Sequence, residues 1–512
     1  MGFELNSSTV RTVFVVLILY SIIVVGLGLY LRIQTRKDTA DVRFKNFLMG
    51  GKSLGPLSLA MLTFTAMSTS GSAVGGPGSS YMIGFSFSIC VWVGMVYGGQ
   101  MPFAIGKKFV IIRERIGSTS LVSFFRHRYG GSNVYAIFLS CILVVFLGVQ
   151  VVAQMSGGAK VFAVATGTGN YRLGILLFGI VTLLYTVAGG VKSVARVAVI
   201  QGVLMVATVI ILYVGTMLNV SGQYGSVNDA MQWLARNNPK LVSAYAMHPF
   251  YNVGMSLIMC WAALALPGGL VGVLSYQKNS KAIIKTGIIA MSCTLVYQFT
   301  MSGLGPFVYS LNQGLADVDY TSFFAASSAL PDVLTGLFVA GIASAVQSTV
   351  AALSVIVVGS IVVDVFKNVI KPDAKVEELN RLNAIVLIVF NSVCIVLALN
   401  PPTMVQTLIN FASGGLFSTL FFPILLGLYA KRANRAGALL GGIGGLATFV
   451  LCNIARINGV AAFANVYPVV PGMAICLIIM IICMFATPRE ELGRIQVWFG
   501  KDYQEEWADI NK

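Results

Sequence analysis

Long uninterrupted apolar runs alternate with short polar breaks along the whole chain. Each run is about 20 residues, the length a helix needs to cross a ~30 Å hydrocarbon core. The pattern predicts spans near Thr12–Leu31, Leu57–Tyr81, Phe85–Gly106, Val134–Gln154, Leu173–Gly189, Ala198–Val220 and Tyr251–Leu274. The remaining runs fall near Thr286–Leu311, Leu337–Phe366, Leu382–Leu399, Thr403–Ala430, Gly437–Ile454 and Val469–Ala486. This is an all-α integral membrane pattern of about 13 transmembrane helices, and an odd number puts the termini on opposite faces. The first run is too long for a signal peptide and lacks a small-residue cleavage site.

Composition agrees with lipid as the solvent. Hydrophobic residues make up 57% of the 512 positions and charged residues 10%, where soluble globules carry about 25% charged residues. The net charge of +16 does not point to nucleic acid, because the basic residues are spread through short loops. Loops holding Arg32, Arg36, Arg113, Arg115, Lys278, Lys367 and Arg432 share one side. By the positive-inside rule that side is cytoplasmic, which places the N-terminus outside and the C-terminus inside a cell (plasma) membrane. The eight cysteines lie singly within apolar runs and read as small core residues.

Two outer segments, Ala230–Arg236 and Ser322–Leu330, read as short amphipathic surface helices, either packing over the outer face or gating it. The tail Pro488–Lys512 alternates acidic and basic residues around Trp498, Phe499 and Trp507 and reads as a cytoplasmic amphipathic segment.

Two spans are built to break. The second carries Thr63-Phe64-Thr65-Ala66-Met67-Ser68-Thr69-Ser70-Gly71-Ser72 and then Gly75-Gly76-Pro77-Gly78. Glycine costs a helix interior about 1 kcal/mol and proline about 3. The seventh carries Leu266-Pro267-Gly268-Gly269. Irregular backbone at membrane depth is tolerated only where it is buried in protein or lines a cavity. Interrupted spans five apart in order suggest two inverted five-helix repeats with a binding site between them. A proline kink with small-residue helix packing is the alternative.

An absence is equally informative. No Asp or Glu falls well inside a predicted span; Asp364 comes nearest, beside Lys367 at a span end, and His127 and His248 fall in or beside loops. Proton-coupled carriers commonly keep such a group as a relay. A coupling cation here must be held by neutral oxygens, which hard cations accept. The ninth span offers them in Ala343-Ser344-Ala345-Val346-Gln347-Ser348-Thr349. The same hydroxyls also fit simple back-bonding to the preceding turn.

These segments resemble the sodium:solute symporter family. The resemblance is carried by "GGKSLGPLSLAMLTFTAMSTSGSAVGGPGSSYMIG" from Gly50 to Gly84, "YTVAGGVKSVARVAVIQG" from Tyr185, "SAVQSTVAALSVIVVGSIVVDVF" from Ser344 and "LLGLYAKRANRAGAL" from Leu425. It is colinear from about Asp41 to Leu440. "GGPGSSYMIG" and the turn Gln154-Met-Ser-Gly-Gly-Ala are most similar to the sodium/pantothenate symporter branch. The resemblance implies a LeuT-like five-plus-five inverted repeat with broken first and sixth core helices. It divides the chain into an N-terminal extra helix with the first inner loop (1–45), a ten-helix core (46–435), two added helices (436–487) and a cytoplasmic tail (488–512).

The resemblance further implies a Na+ site from the carbonyls of Thr65, Ser68 and Ala345 and the hydroxyls of Ser348 and Thr349. It implies a substrate site beside it at Met67, Thr69, Ser72, Gln154, Met259, Trp261 and Ala263. Several positions depart from the family pattern. Val197 and Ala198 stand before Gln201 where the family often has Thr-Asp, and Val350, Ala351 and Ala352 follow the Ser-Thr pair, so one sodium ion is implied rather than two. Pro267-Gly268 replaces a Pro-His, and Gly272 an Arg. Lys160 stands where the branch has Arg and is the one cation near the proposed pocket; a snorkelling interface residue is its other reading.

The expected activity is sodium-coupled symport of a small organic solute, pantothenate or a similar small carboxylate, by alternating access. Symport of an amino acid such as proline, a sugar or another solute, or proton coupling on the same fold, are the alternatives. An enzyme lacks its catalytic or metal cluster at membrane depth, and the tail is too short for a sensor's output domain. The expected partners are the solute and the bilayer, with no nucleic acid and no obligate protein partner evident.

Overall fold

The computed structural model describes residues 5–35, 39, 42, 44, 54–98, 105–118, 120–247, 252, 254, 256, 279–400 and 404–500. Among them the chain is helical, with nine helices long and apolar enough to cross a membrane, or ten when a bent pair is counted as one span. The seventh expected span, Tyr251–Leu274, lies almost wholly outside the described residues, so the expected thirteen are not all represented. The observed helices otherwise follow the apolar runs. The last, Val469–Ala486, coincides with its expected bounds.

We label the helices used below in chain order: α1 Ser7–Thr35, α2 Pro56–Met67, α3 Gly76–Ile83, α4 Phe85–Gly98, α5 Lys107–Ile116, α6 Leu121–Arg128, α7 Asn133–Ala165, α8 Tyr171–Tyr224, α9 Val227–Asn237, α10 Ser280–Gly303, α11 Gly305–Leu311, α12 Thr321–Ala329, α13 Asp332–Gly359, α14 Val376–Ala398, α15 Val405–Tyr429, α16 Arg435–Ile457, α17 Val469–Ala486 and α18 Leu492–Phe499. Short polar residues start several of them by accepting a backbone N–H that the first turn leaves unpaired. Ser132 does so for Tyr135, Asn170 for Leu173, Asn279 for Ala282 and Asn434 for Gly437.

Burial sorts the spans into centre and periphery. The α13 span is 83% buried and that of α15 78%, against 28% for α14, so the first two lie at the heart of the bundle. Along α14 Ile385, Val389, Val393 and Val396 are exposed, the apolar outward positions that a lipid-facing surface requires.

Two expectations about connections change. The stretch between the expected spans Leu173–Gly189 and Ala198–Val220, which holds Lys192 and Arg196, is not a loop but helical backbone within the single helix α8. It contains no proline, and charge alone does not break the hydrogen-bond ladder. Asp364, expected at a span end beside Lys367, lies in a π-helical continuation of α13, Ser360–Ile370, and is fully buried.

Both segments are helical: α9 contains Ala230–Arg236, and α12 covers Ser322–Ala329, but Ser322, Phe323, Ala325 and Ala326 are buried, so α12 is not the amphipathic surface helix expected. The tail also forms a helix, α18. Trp498 is not on a free surface, as an amphipathic segment alone would suggest, but is fully buried against Phe124 and His127.

Candidate functional site

The second span breaks where its Ser, Thr and Gly content predicts. α2 ends at Met67, Ser68 takes a non-helical conformation (φ −87°, ψ 83°), and a π-turn, Gly71–Gly75, leads into α3. The two halves are bent by 58°. Close packing holds the second half in place. A Cβ at Gly75 would lie 2.8 Å from the backbone nitrogen of Gln406 on α15, and one at Gly78 2.6 Å from the carbonyl oxygen of Val318. Glycine is required at both positions because another backbone occupies the space.

At the end of α2 the carbonyl oxygen of Thr65 accepts from Ser348 Oγ at 3.3 Å and from Thr349 Oγ1 at 3.2 Å, both on α13. Both hydroxyls also reach the Ala345 carbonyl, at 3.0 and 2.8 Å. Two carbonyls and two hydroxyls thus share one small volume. Ser68, one turn on, is fully buried, and its Oγ has no hydrogen-bond partner. The set is neutral, oxygen-only and buried, which suits a hard monovalent cation and not a soft transition metal. Among the described residues, no group of three His, Cys, Asp or Glu stands together to hold a metal.

The substrate-side expectations also have a geometric counterpart. From Leu59 to Tyr81, only Met67, Thr69 and Ser72 keep partial exposure; every other residue is buried. Ser72 Oγ accepts from Gln298 Nε2 at 2.6 Å. Gln154 is buried and braces the break: its Oε1 accepts the Ser70 N–H at 2.7 Å, while its Nε2 is buried without a partner. Met259, Trp261 and Ala263 lie outside the described residues.

Lys160 corrects an expectation. It is not a snorkelling residue but is buried, with Nζ 2.7 Å from both Asp317 Oδ2 and Asp319 Oδ2. Asp319 is itself 1% exposed and accepts the Val405 N–H at 3.4 Å. The Lys160 charge is therefore already met by two carboxylates. Helix α12, which follows these carboxylates, caps the broken span, since Ser322 Oγ donates to the Ala73 carbonyl at 2.9 Å. Burial, and then the Asp317 and Asp319 carboxylates, push the Tyr320 phenol above its ordinary value.

Tyr20, which sequence reasoning did not single out, supports α13 from behind. Tyr20 Oη donates to Gln347 Oε1 at 2.9 Å and approaches Ser344 Oγ at 3.2 Å, and it accepts from Gln201 Nε2 at 2.9 Å. The signal available was a polar side chain within each of three apolar runs, which alone does not say which partner it meets.

Solved structures share this arrangement of helices. A substrate-bound, outward-open Na+-coupled sialic acid symporter matches with TM-score 0.74 over 93% of this chain and 98% of that one, at 17% identity. A nucleobase-cation-symport-1 family transporter, closed with bromovinylhydantoin bound, matches with TM-score 0.56 over 89% and 98%, at 14% identity. The fold is the all-helical, LeuT-like one. The profile of the sodium:solute symporter family matches residues 47–445, and the chain belongs to that family. It is accordingly a transporter and not an enzyme.

Among curated relatives, the sodium/pantothenate symporter of Escherichia coli (strain K12) is 28% identical over 91% of this chain and 95% of its own length. The osmoregulated proline transporter of Bacillus subtilis (strain 168) is 24% identical over 91% and 95%. The sodium/proline symporter of Staphylococcus aureus (strain JH9) is 26% identical over 93% of each.

Proposed function

We propose that the chain couples the inward movement of one sodium ion to symport of a small organic solute, pantothenate or a similar small carboxylate, by alternating access. The observation that carries this reading is the meeting of the Thr65 carbonyl with the Ser348 and Thr349 hydroxyls across the broken span. A sodium ion there would take the carbonyls of Thr65, Ser68 and Ala345 and the oxygens of Ser348 and Thr349. The two hydroxyl protons would turn away from the carbonyls they now meet, so the ion replaces hydrogen bonds and ties α2 to α13 more firmly. This favours an outward-open state that accepts solute. Rocking of the core then opens the site inward, where the membrane potential, about 2.3 kcal/mol per charge per 100 mV, draws sodium off.

The solute would sit against Met67, Thr69, Ser72 and the free amide of Gln154, with Met259, Trp261 and Ala263 completing the pocket. Because Lys160 is engaged by Asp317 and Asp319, a solute carboxylate is better met by the hydroxyls and N–H groups at the start of the second half-span, where the helix dipole favours an anion. The pantothenate reading follows the relatives at 28% identity; the proline relatives support an amino acid as the second reading. The domain division and the N-outside orientation in the plasma membrane belong to the same proposal.

Uptake of labelled pantothenate and of proline into proteoliposomes tests it. A sodium gradient should drive uptake of one of them, and Ser348→Ala with Thr349→Ala should abolish the sodium dependence. Uptake driven by a pH gradient without sodium would transfer the coupling to a proton.

A further inference from the structure

Arg126, Lys367 and Arg494 converge on one cavity of about 590 Å³ at the loop ends of the bundle. They come from three elements far apart in sequence: α6, the π-helical end of the ninth span, and the tail helix α18. His127, Ser123 and Asn368 also line it, and none of its described lining residues is a carboxylate.

The three cations are poorly neutralised. Arg126 is held by neutral acceptors, the Gly131 carbonyl at 3.1 Å and Asn133 Oδ1 at 2.5 Å. Lys367 Nζ stands 6.0 Å from the centre of the Phe44 ring. Arg494 reaches Glu491 only at 3.7 Å, and that carboxylate is 76% exposed. Asp364 lies near enough to feel the Arg126 charge, but it takes the Ser120 hydroxyl at 2.6 Å and does not line the cavity. Like charges gathered in a partly enclosed space repel. All three are long side chains with several rotatable bonds that could turn to water, so their convergence favours an anion between them. Basic pockets between membrane helices at the bilayer edge are where phosphate-bearing headgroups bind.

We propose that this cavity binds a phosphate-bearing anion, held by Arg126, Lys367 and Arg494. Both an anionic phospholipid headgroup and free phosphate carry this chemistry. A ligand there would clamp the tail helix to the bundle, because one of its three cations belongs to α18.

The test is thermal unfolding of the purified full chain in neutral detergent with phosphatidylglycerol, phosphatidylcholine or inorganic phosphate added. Phosphatidylglycerol should raise Tm by roughly 4 °C or more at saturation, and phosphatidylcholine should not. Lys367→Gln with Arg494→Gln should lose more than half of that shift, while Lys367→Arg with Arg494→Lys keeps it. Should the double Gln variant fail to fold, Lys367→Gln alone carries the comparison, since among the described residues its amine rests over the Phe44 ring. A shift with phosphatidylglycerol alone assigns the site to a headgroup, and a matching shift with millimolar phosphate assigns it to the free anion. No shift with either, an equal shift with phosphatidylcholine, or an undiminished shift in the Gln variants overturns the proposal.

Discussion

The backbone N–H of Ser70 donates to Oε1 of Gln154 at 2.7 Å, so a side chain of α7 supplies the acceptor that the broken second span cannot. The contact is tightly built. Ser70 Oγ donates to the Ala153 carbonyl at 3.2 Å, and a Cβ at Gly157 would lie 2.4 Å from that of Ser70. The break is thus not a loose segment but a backbone irregularity whose hydrogen bonds are met from outside.

Gln154→Leu is expected to lower stability by about 1–3 kcal/mol, the cost of leaving a buried donor unmet. It should also raise the KM for solute, because the same amide has its Nε2 free. Gln154→Glu retains the acceptor and should recover much of the stability without the solute affinity. Thermal unfolding beside initial uptake rates separates the two effects.

Thr349→Val and Ser348→Ala should each raise the sodium concentration for half-maximal uptake about tenfold, equivalent to about 1.4 kcal/mol of ion binding. Neither change opens a large cavity, and each hydroxyl now meets only carbonyls. Stability measured without sodium should therefore shift by less than about 1 kcal/mol. A loss of fold equal in size to the loss of sodium response would show these residues to be structural alone.

Much of this site was legible because it lies on local sequence. Ser348 and Thr349 are adjacent, Thr65 and Ser68 are one turn apart, and glycine with hydroxyl density marks the break by backbone energetics alone. What spacing cannot show is pairing across the chain. Lys160 meets carboxylates 157 and 159 residues away, and Tyr20 meets a glutamine 327 residues away. Trp498 was read as part of a surface segment because amphipathicity marks a face, not its occupant. The join at Lys192 was misread for a related reason: polarity ends an apolar run without ending a helix.

The Lys160 triad gives an asymmetric expectation. Lys160→Met leaves Asp319, 1% exposed, without its cation, and breaking a buried pair from one side costs about 3–5 kcal/mol. Adding Asp319→Leu to Lys160→Met should restore part of that stability. Asp317→Asn alone should cost less than about 1 kcal/mol, since its side chain is 42% exposed and such pairs are screened. Melting curves of the three variants check the order, and uptake by the double variant shows whether the loop over α3 must open for transport.

The tail contact predicts a pH dependence with a definite sign. Trp498 Nε1 donates to His127 Nδ1 at 3.1 Å, which requires that nitrogen to be unprotonated. Burial first, and then the Arg494 charge, hold the His127 pKa below its ordinary 6.5; Arg126 and Lys367 line the same cavity. A base with a depressed pKa in the docked state binds protons more readily once undocked. Its contribution to docking is fully present above pH 6.5 and is lost as pH falls from there through the depressed value. Hydrogen exchange across residues 492–500 should therefore be slow at pH 7.5 and faster at pH 5 after correction for intrinsic rates. His127→Phe, which cannot titrate, should remove the difference. Arg494→Gln should move the transition upward toward pH 6.5 by removing the second of the two causes. A transition that moved downward instead would mean that burial and the Arg494 charge do not set this group.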